Sequence, residues 1–125
     1  MKQGSHAEVA VVDDDREVLD AIMDLLASAG LTACSFSSAT DFLDSGALDS
    51  IGCLVSDIRM PGMDGWELRS IVAVRRPELP IILITAHQND EQLASADGRQ
   101  ILFSKPFEAQ RLLSAITSVL REPQA

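Results

Sequence analysis

Basic residues are scarce in this 125-residue chain: ten Lys and Arg stand against nineteen Asp and Glu, giving a formal net charge of −9 and a pI near 4.4. Binding to nucleic-acid phosphates or anionic lipid begins with a basic patch, so direct contact of this segment with DNA or a membrane surface is excluded. Cysteine is nearly absent. Cys34 and Cys53 lie in apolar runs with no CxxC spacing or Cys/His cluster nearby. That excludes a zinc site or a disulfide framework and leaves two buried, reduced thiols as the expectation. No run approaches the length of a membrane span, and the start, MKQGSHAE, lacks the hydrophobic region of a secretory signal. The expected location is the cytoplasm. Repeats, low-complexity tracts and linkers are missing too. Residues Met1 to His6 carry no periodicity and read as a disordered start or an artificial remnant. Residues 7–121 read as one domain, and 122–125 as a tail or the beginning of a linker. With 46% hydrophobic residues the chain can fill one continuous core, but it has no room for a second.

What is present is an alternation of strands and helices. Glu8 to Val12 reads as a strand, and Arg16 to Ala29 as a helix with Val18, Ile22, Leu25 and Ala29 on one face, ended by Gly30. Thr32 to Phe36 is a short strand, followed by Ser38 with Asp41 three residues on, the pattern of a cap opening a brief helix. Gly46 to Ser50 reads as loop. The runs Cys53 to Ile58 and Ile81 to Thr85 are apolar on both faces, as strands buried between two helical layers must be. Between them lie the turn-rich Met60 to Gly65 and a helix from Trp66 to Arg76, stopped by Pro77. Asn89 to Ala96 is a weakly amphipathic fourth helix, Gln100 to Ser104 a fifth strand, and Leu112, Leu113, Ile116, Val119 and Leu120 mark a final helix. Five βα units predict an α/β fold: a five-stranded parallel sheet with helices on both faces, in the flavodoxin-like order 2-1-3-4-5. Ligands bind such sheets at the carboxyl ends of the strands, at the switch point between strands one and three.

The residues at or just past those ends are Asp13, Asp14 and Asp15, then Asp57, then Thr85, then Lys105. Carboxylates converging in one crevice repel one another, and such crowding calls for a cation among them. All-oxygen donors suit Mg²⁺. Lys105 supplies a point charge and Thr85 an orientable hydroxyl. A carboxylate nucleophile, a metal, a lysine and a hydroxyl are the parts phosphoryl transfer needs, since its catalysis is mostly positioning and charge neutralisation.

The motifs VVDDD, SDIRMPGMDG, ILITA and SKPF, in that order and each tied to an expected strand, resemble the signature of response-regulator receiver domains over nearly the whole chain. SSATDFL further resembles receivers of the FixJ type, often joined to a DNA-binding module. The resemblance implies a CheY-like fold and a phosphoacceptor signalling domain that assists its own phosphorylation and dephosphorylation, not an enzyme in the ordinary sense. It implies that Asp57 takes the phosphoryl group, that Asp13 and Asp14 position Mg²⁺ with Asp57 and the Arg59 carbonyl, and that Thr85 and Lys105 meet the phosphoryl oxygens. It further implies a cis bond before Pro106, a tuning role for His87, and a sensor histidine kinase or phosphotransfer protein as donor. A homodimer and a DNA-binding output domain outside this chain are compatible with it.

Each residue also has a plainer reading. Asp15 reads better as a helix cap, Asp64, Gly62 and Gly65 as turn and helix-start chemistry, and Trp66 as packing. Thr85 or Lys105 alone would be ordinary; only the constellation promotes them. Two departures from the family stand out: Ala86 to Arg99 looks short, so the fourth helix is expected to be short or irregular, and Leu102 sits where many receivers place a switch aromatic, with Phe103 one place later. The switch is therefore expected to use the first and last helices or an unusual fourth-helix surface. Two other functions compete. A HAD-type phosphatase would need Thr or Val after its first-strand motif, where Arg16 and Glu17 stand. A receiver fold signalling by protein contact without phosphorylation would have no need of Asp57, Thr85 and Lys105. An FMN protein is rejected, because three aspartates would repel its phosphate.

Overall fold

The computed structural model describes residues 7–86 and 101–121, with the Ile101 side chain left aside. β1 (Val9–Val12), β2 (Ala33–Phe36), β3 (Cys53–Asp57), β4 (Ile81–Thr85) and β5 (Ile101–Ser104) form one sheet in the order β2-β1-β3-β4-β5, and every pair is parallel. The expected topology is thereby met. Alternation along the strands divides the core. Ala10, Val12, Leu54 and Leu83 face α2 (Ala39–Ser45) and α3 (Gly65–Arg75); Val9, Val11, Val55, Ile82 and Ile84 face α1 (Arg16–Ser28) and the last helix, α4 (Ala109–Arg121). With both faces covered, β1, β3 and β4 are buried along their whole length, which is why they read as continuous apolar runs.

The helix boundaries follow from their caps. Asp15 caps α1 by accepting from the Glu17 and Val18 N–H groups, at 3.0 and 3.5 Å. The buried stripe of α1 is Leu19, Ile22 and Leu26, a small rotation from the expected face; Val18 and Leu25 flank it half-buried, and Ala29, the C-cap, is exposed. Gly30 follows at φ +80°, a conformation that favours glycine. Ser38 caps α2 through the Asp41 N–H as expected. The stretch read as loop, Gly46 to Ser50, instead holds a 3-10 turn at Ala47–Asp49 that buries Leu48. Asp64 and Glu67 form a reciprocal capping box, so α3 starts one residue earlier than expected, at Gly65. Of the two thiols, Cys53 is buried as expected, but Cys34 is only half-buried because β2 is an edge strand; both are free. Among the described residues no helix is long and apolar enough to cross a membrane. Asn89 to Ala96, His87 and the length of the fourth helix lie outside the described residues.

Arg76, which follows α3, staples that helix to the entry of β3. Its Nη1 donates to the Leu48 carbonyl at 2.9 Å and the Ile51 carbonyl at 2.6 Å, while its Nε pairs with Glu78 at 2.9 Å. Alanine here would strand two carbonyls under partial cover, so Arg76→Ala is expected to lower stability by about 2 kcal/mol in urea unfolding. A midpoint and slope equal to the wild type's would refute the staple.

Candidate functional site

The sheet order sets the site. β1 and β3 are neighbours, yet their chains leave to opposite faces, α1 to one and α3 to the other, which opens a crevice at their carboxyl ends. The Val12↔Ser56 and Asp57↔Ile84 registers place Asp13 and Asp57 at this edge, and Thr85↔Ser104 places Thr85 beside the residue before Lys105. The structure thus brings together Asp13, Asp14, Asp57, Thr85 and Lys105. Arg59 lies two residues past Asp57 on the loop toward α3, its side chain exposed. The Lys105–Pro106 bond is cis.

The main chain holds these residues. The Asp13 N–H donates to the Phe36 carbonyl at 3.1 Å and the Lys105 N–H to the Thr85 carbonyl at 2.7 Å, so sheet-type bonding runs past the strand ends. Asp13, Asp57 and Thr85 are buried, Asp14 is exposed, and Lys105 reaches in from the rim. Asp57 Oδ1 accepts from the Ile58 N–H at 3.0 Å and lies 3.5 Å from Lys105 Nζ. Asp13 Oδ1 accepts from the Asp15 N–H at 2.9 Å, while its Oδ2, buried and without a hydrogen bond, lies 3.6 Å from the same ammonium.

Two buried carboxylates therefore share one cation, and burial wins over the lysine. It pushes the Asp57 carboxyl up to about 6, with Asp13 alongside adding to the rise and Lys105 opposing it. Burial likewise raises Asp13, against the Asp15 N–H and Lys105. Ligand oxygens of Asp13, Asp14 and Asp57 all lie within 4.8 Å of one another. A buried oxygen without a hydrogen bond among crowded carboxylates is what a hard cation would satisfy, and an all-oxygen donor set fits Mg²⁺.

Asp15 spends its side chain on the α1 cap, while its N–H holds Asp13 Oδ1. Leu102 packs into the α2/α3 core and Phe103 into the α1/α4 core, so the two neighbours divide between the faces of the sheet.

The chain matches the family model described as response regulator receiver domain over residues 9–117. It is 41% identical over 109 residues to the C4-dicarboxylate transport transcriptional regulatory protein DctD of Rhizobium meliloti, covering 86% of this chain and 24% of that protein. It is 37% identical over 118 residues to the transcriptional regulatory protein FixJ of Bradyrhizobium diazoefficiens, covering 93% and 58% respectively. The chain thus spans less than two thirds of these curated relatives. Among solved structures, the apo receiver domain of nitrogen regulatory protein C superposes with a TM-score of 0.81 at 33% identity, covering 95% of this chain and 98% of that one. A match running from β1 into α4, on a sheet of this order with its acidic residues at the β1/β3 edge, makes the chain a member of the response-regulator receiver family of two-component signalling.

Proposed function

We propose that Asp57 is the phosphoacceptor, taking a phosphoryl group from a phosphohistidine on a sensor kinase or phosphotransfer protein in a Mg²⁺-dependent reaction. The observation that carries this reading is the single ammonium of Lys105 set between the Asp13 and Asp57 carboxylates, 3.6 and 3.5 Å away. Asp57 Oδ1 is engaged by Lys105 and the Ile58 N–H, which leaves Oδ2 to attack phosphorus. The new P–O bond forms as the P–N bond breaks, and the donor imidazole, already protonated on its other ring nitrogen, leaves as the neutral ring. Asp13, Asp14, Asp57 and the Arg59 carbonyl would hold Mg²⁺, which when bound supplies charge neutralisation for the phosphoryl oxygens. The Thr85 hydroxyl and Lys105 would meet the remaining oxygens. A protein acting by contact alone would have no use for a lysine held between two buried carboxylates.

The relatives' names describe transcriptional regulators, and the matched region is only part of each. A DNA-binding output module outside this chain, a cytoplasmic location and a receiver homodimer belong to the same proposal. Its test is incubation with Mg²⁺ and a small acyl phosphate followed by intact mass. Wild type is expected to gain one phosphoryl group and Asp57→Asn none. Wild type that stays unmodified, or Asp57→Asn that is modified equally, sinks the assignment.

A further inference from the structure

Gly65 occupies the first position of α3, directly after the Asp64 cap, where most residue types are accommodated. Its φ is not positive, unlike those of Gly30, Gly46 and Gly62, so backbone conformation does not explain the glycine. Contact does. A Cβ built at Gly65 would fall 2.6 Å from the Asp57 carbonyl oxygen, 2.7 Å from Ile58 Cα and 3.3 Å from the Asp57 carbonyl carbon. All three are main-chain atoms at the end of a buried central strand and cannot swing aside.

The approach is sealed by a hydrogen bond of 2.7 Å from the Gly65 N–H to the Ile58 carbonyl. That bond closes the base of the loop joining β3 to α3, including Arg59. Ile58 is also the residue whose N–H holds Asp57 Oδ1, and the same N–H donates to the Ile84 carbonyl at 3.0 Å. A side chain at position 65 must therefore displace the group that aims the Asp57 carboxylate.

We propose that Gly65 is a positioning residue for phosphoryl uptake: by lacking a side chain it lets α3 clamp the Asp57–Ile58 main chain and fix the attack direction of Oδ2. This rests on Asp57 being the phosphoacceptor. Misplacement approaching 1 Å lowers rates by roughly a hundredfold, so Gly65→Ala is expected to slow uptake from a small acyl phosphate by about ten- to a hundredfold, with weaker Mg²⁺ binding by calorimetry.

Gly62→Ala is the control. Gly62 lies in the same loop at φ +77° with nothing within 4 Å of its missing Cβ, so alanine there strains the loop without striking Asp57. It is expected to lose thermal stability but keep uptake within about threefold of wild type. Folded Gly65→Ala reacting at the wild-type rate, or Gly62→Ala losing as much as Gly65→Ala, overturns the proposal. Hydrogen exchange of the wild type gives a second reading that needs no variant. The Gly65 amide is expected to exchange as slowly as the amides of β3, and exchange as fast as that of exposed loop amides also overturns the clamp. Failure of the phosphoacceptor assignment is distinguishable, because wild type itself would then take up no phosphoryl group at Asp57.

Discussion

Asp57→Asn is expected to make the protein more stable than wild type when divalent ions are chelated at pH 7.5. The Asp57 carboxyl is pushed from 3.8 to about 6 by burial and by Asp13 beside it. The folded state therefore holds this proton more tightly than the unfolded chain does. Stability from the group is fully present below pH 3.8 and is lost as pH rises through about 6, above which the folded state carries a buried, poorly solvated charge. Asparagine has nearly the same shape and no charge. The gain is expected to be roughly 1–3 kcal/mol, several degrees in melting temperature, and it is expected to vanish near pH 4. Millimolar Mg²⁺ is expected to stabilise wild type and leave the variant nearly unmoved, since only wild type keeps the full acidic set. Thermal unfolding at both pH values, with and without the metal, checks all four arms. An asparagine variant less stable than wild type at pH 7.5 without metal refutes the account.

Lys105→Met should do the reverse to stability while damaging the chemistry more deeply. Its ammonium lies 3.6 Å from Asp13 and 3.5 Å from Asp57, and removing it leaves two buried carboxylates facing each other. With the cation gone both carboxyls rise further, so the deficit is largest at pH 7.5, roughly 2 kcal/mol given the partial exposure of Lys105, and shrinks toward pH 4 as both protonate. Mg²⁺ is expected to bind more tightly, because a positive charge that competes with it has gone. Uptake of a phosphoryl group is nevertheless expected to fall by about 10²–10³, the usual effect of deleting one donor to a charge that develops in the transition state. Urea unfolding, metal titration and intact-mass time courses separate the three effects. Uptake at the wild-type rate would remove Lys105 from the mechanism.

The fold was legible where a residue's neighbours along the chain decide its state. The runs Cys53 to Ile58 and Ile81 to Thr85 announce buried strands because both of their faces are covered, and Ser38 with Asp41 announces a cap because the cap bond is local. The site was legible because each of its residues sits at the end of such a run or one step past it. Other features depend on distant partners. Arg76 looked like the end of a helix, since the carbonyls it binds are 25 and 28 residues away. Gly65 reads from sequence only as turn and helix-start chemistry, because its further reason is a main-chain approach across the loop; Asp64 and Glu67 stand at the capping-box spacing that marks the helix start. The stripe of α1 was turned slightly because Leu19 and Leu26 compete with Val18 and Leu25 for the same side, and only packing against the sheet decides between them. Cys34 is expected from its apolar run to be buried, but the sheet ends at β2 and the residue stays partly exposed.

Sheet bonding continues past the strands at Asp13 and Lys105, and Asp57 and Thr85 are themselves the last residues of β3 and β4. The four side chains thus hang from a lattice that neighbouring strands hold in place. Replacing any one of them is expected to change charge or volume with little movement of its main chain, provided the substitute keeps the acceptor that holds the Asp15 or Ile58 N–H. Pairwise double-mutant cycles over positions 13, 57, 85 and 105, with substitutes such as Asp→Asn that keep an acceptor, are therefore expected to report mainly couplings between side chains. A pocket on flexible loops would scramble those numbers; this one is suited to being mapped as a circuit, coupling by coupling.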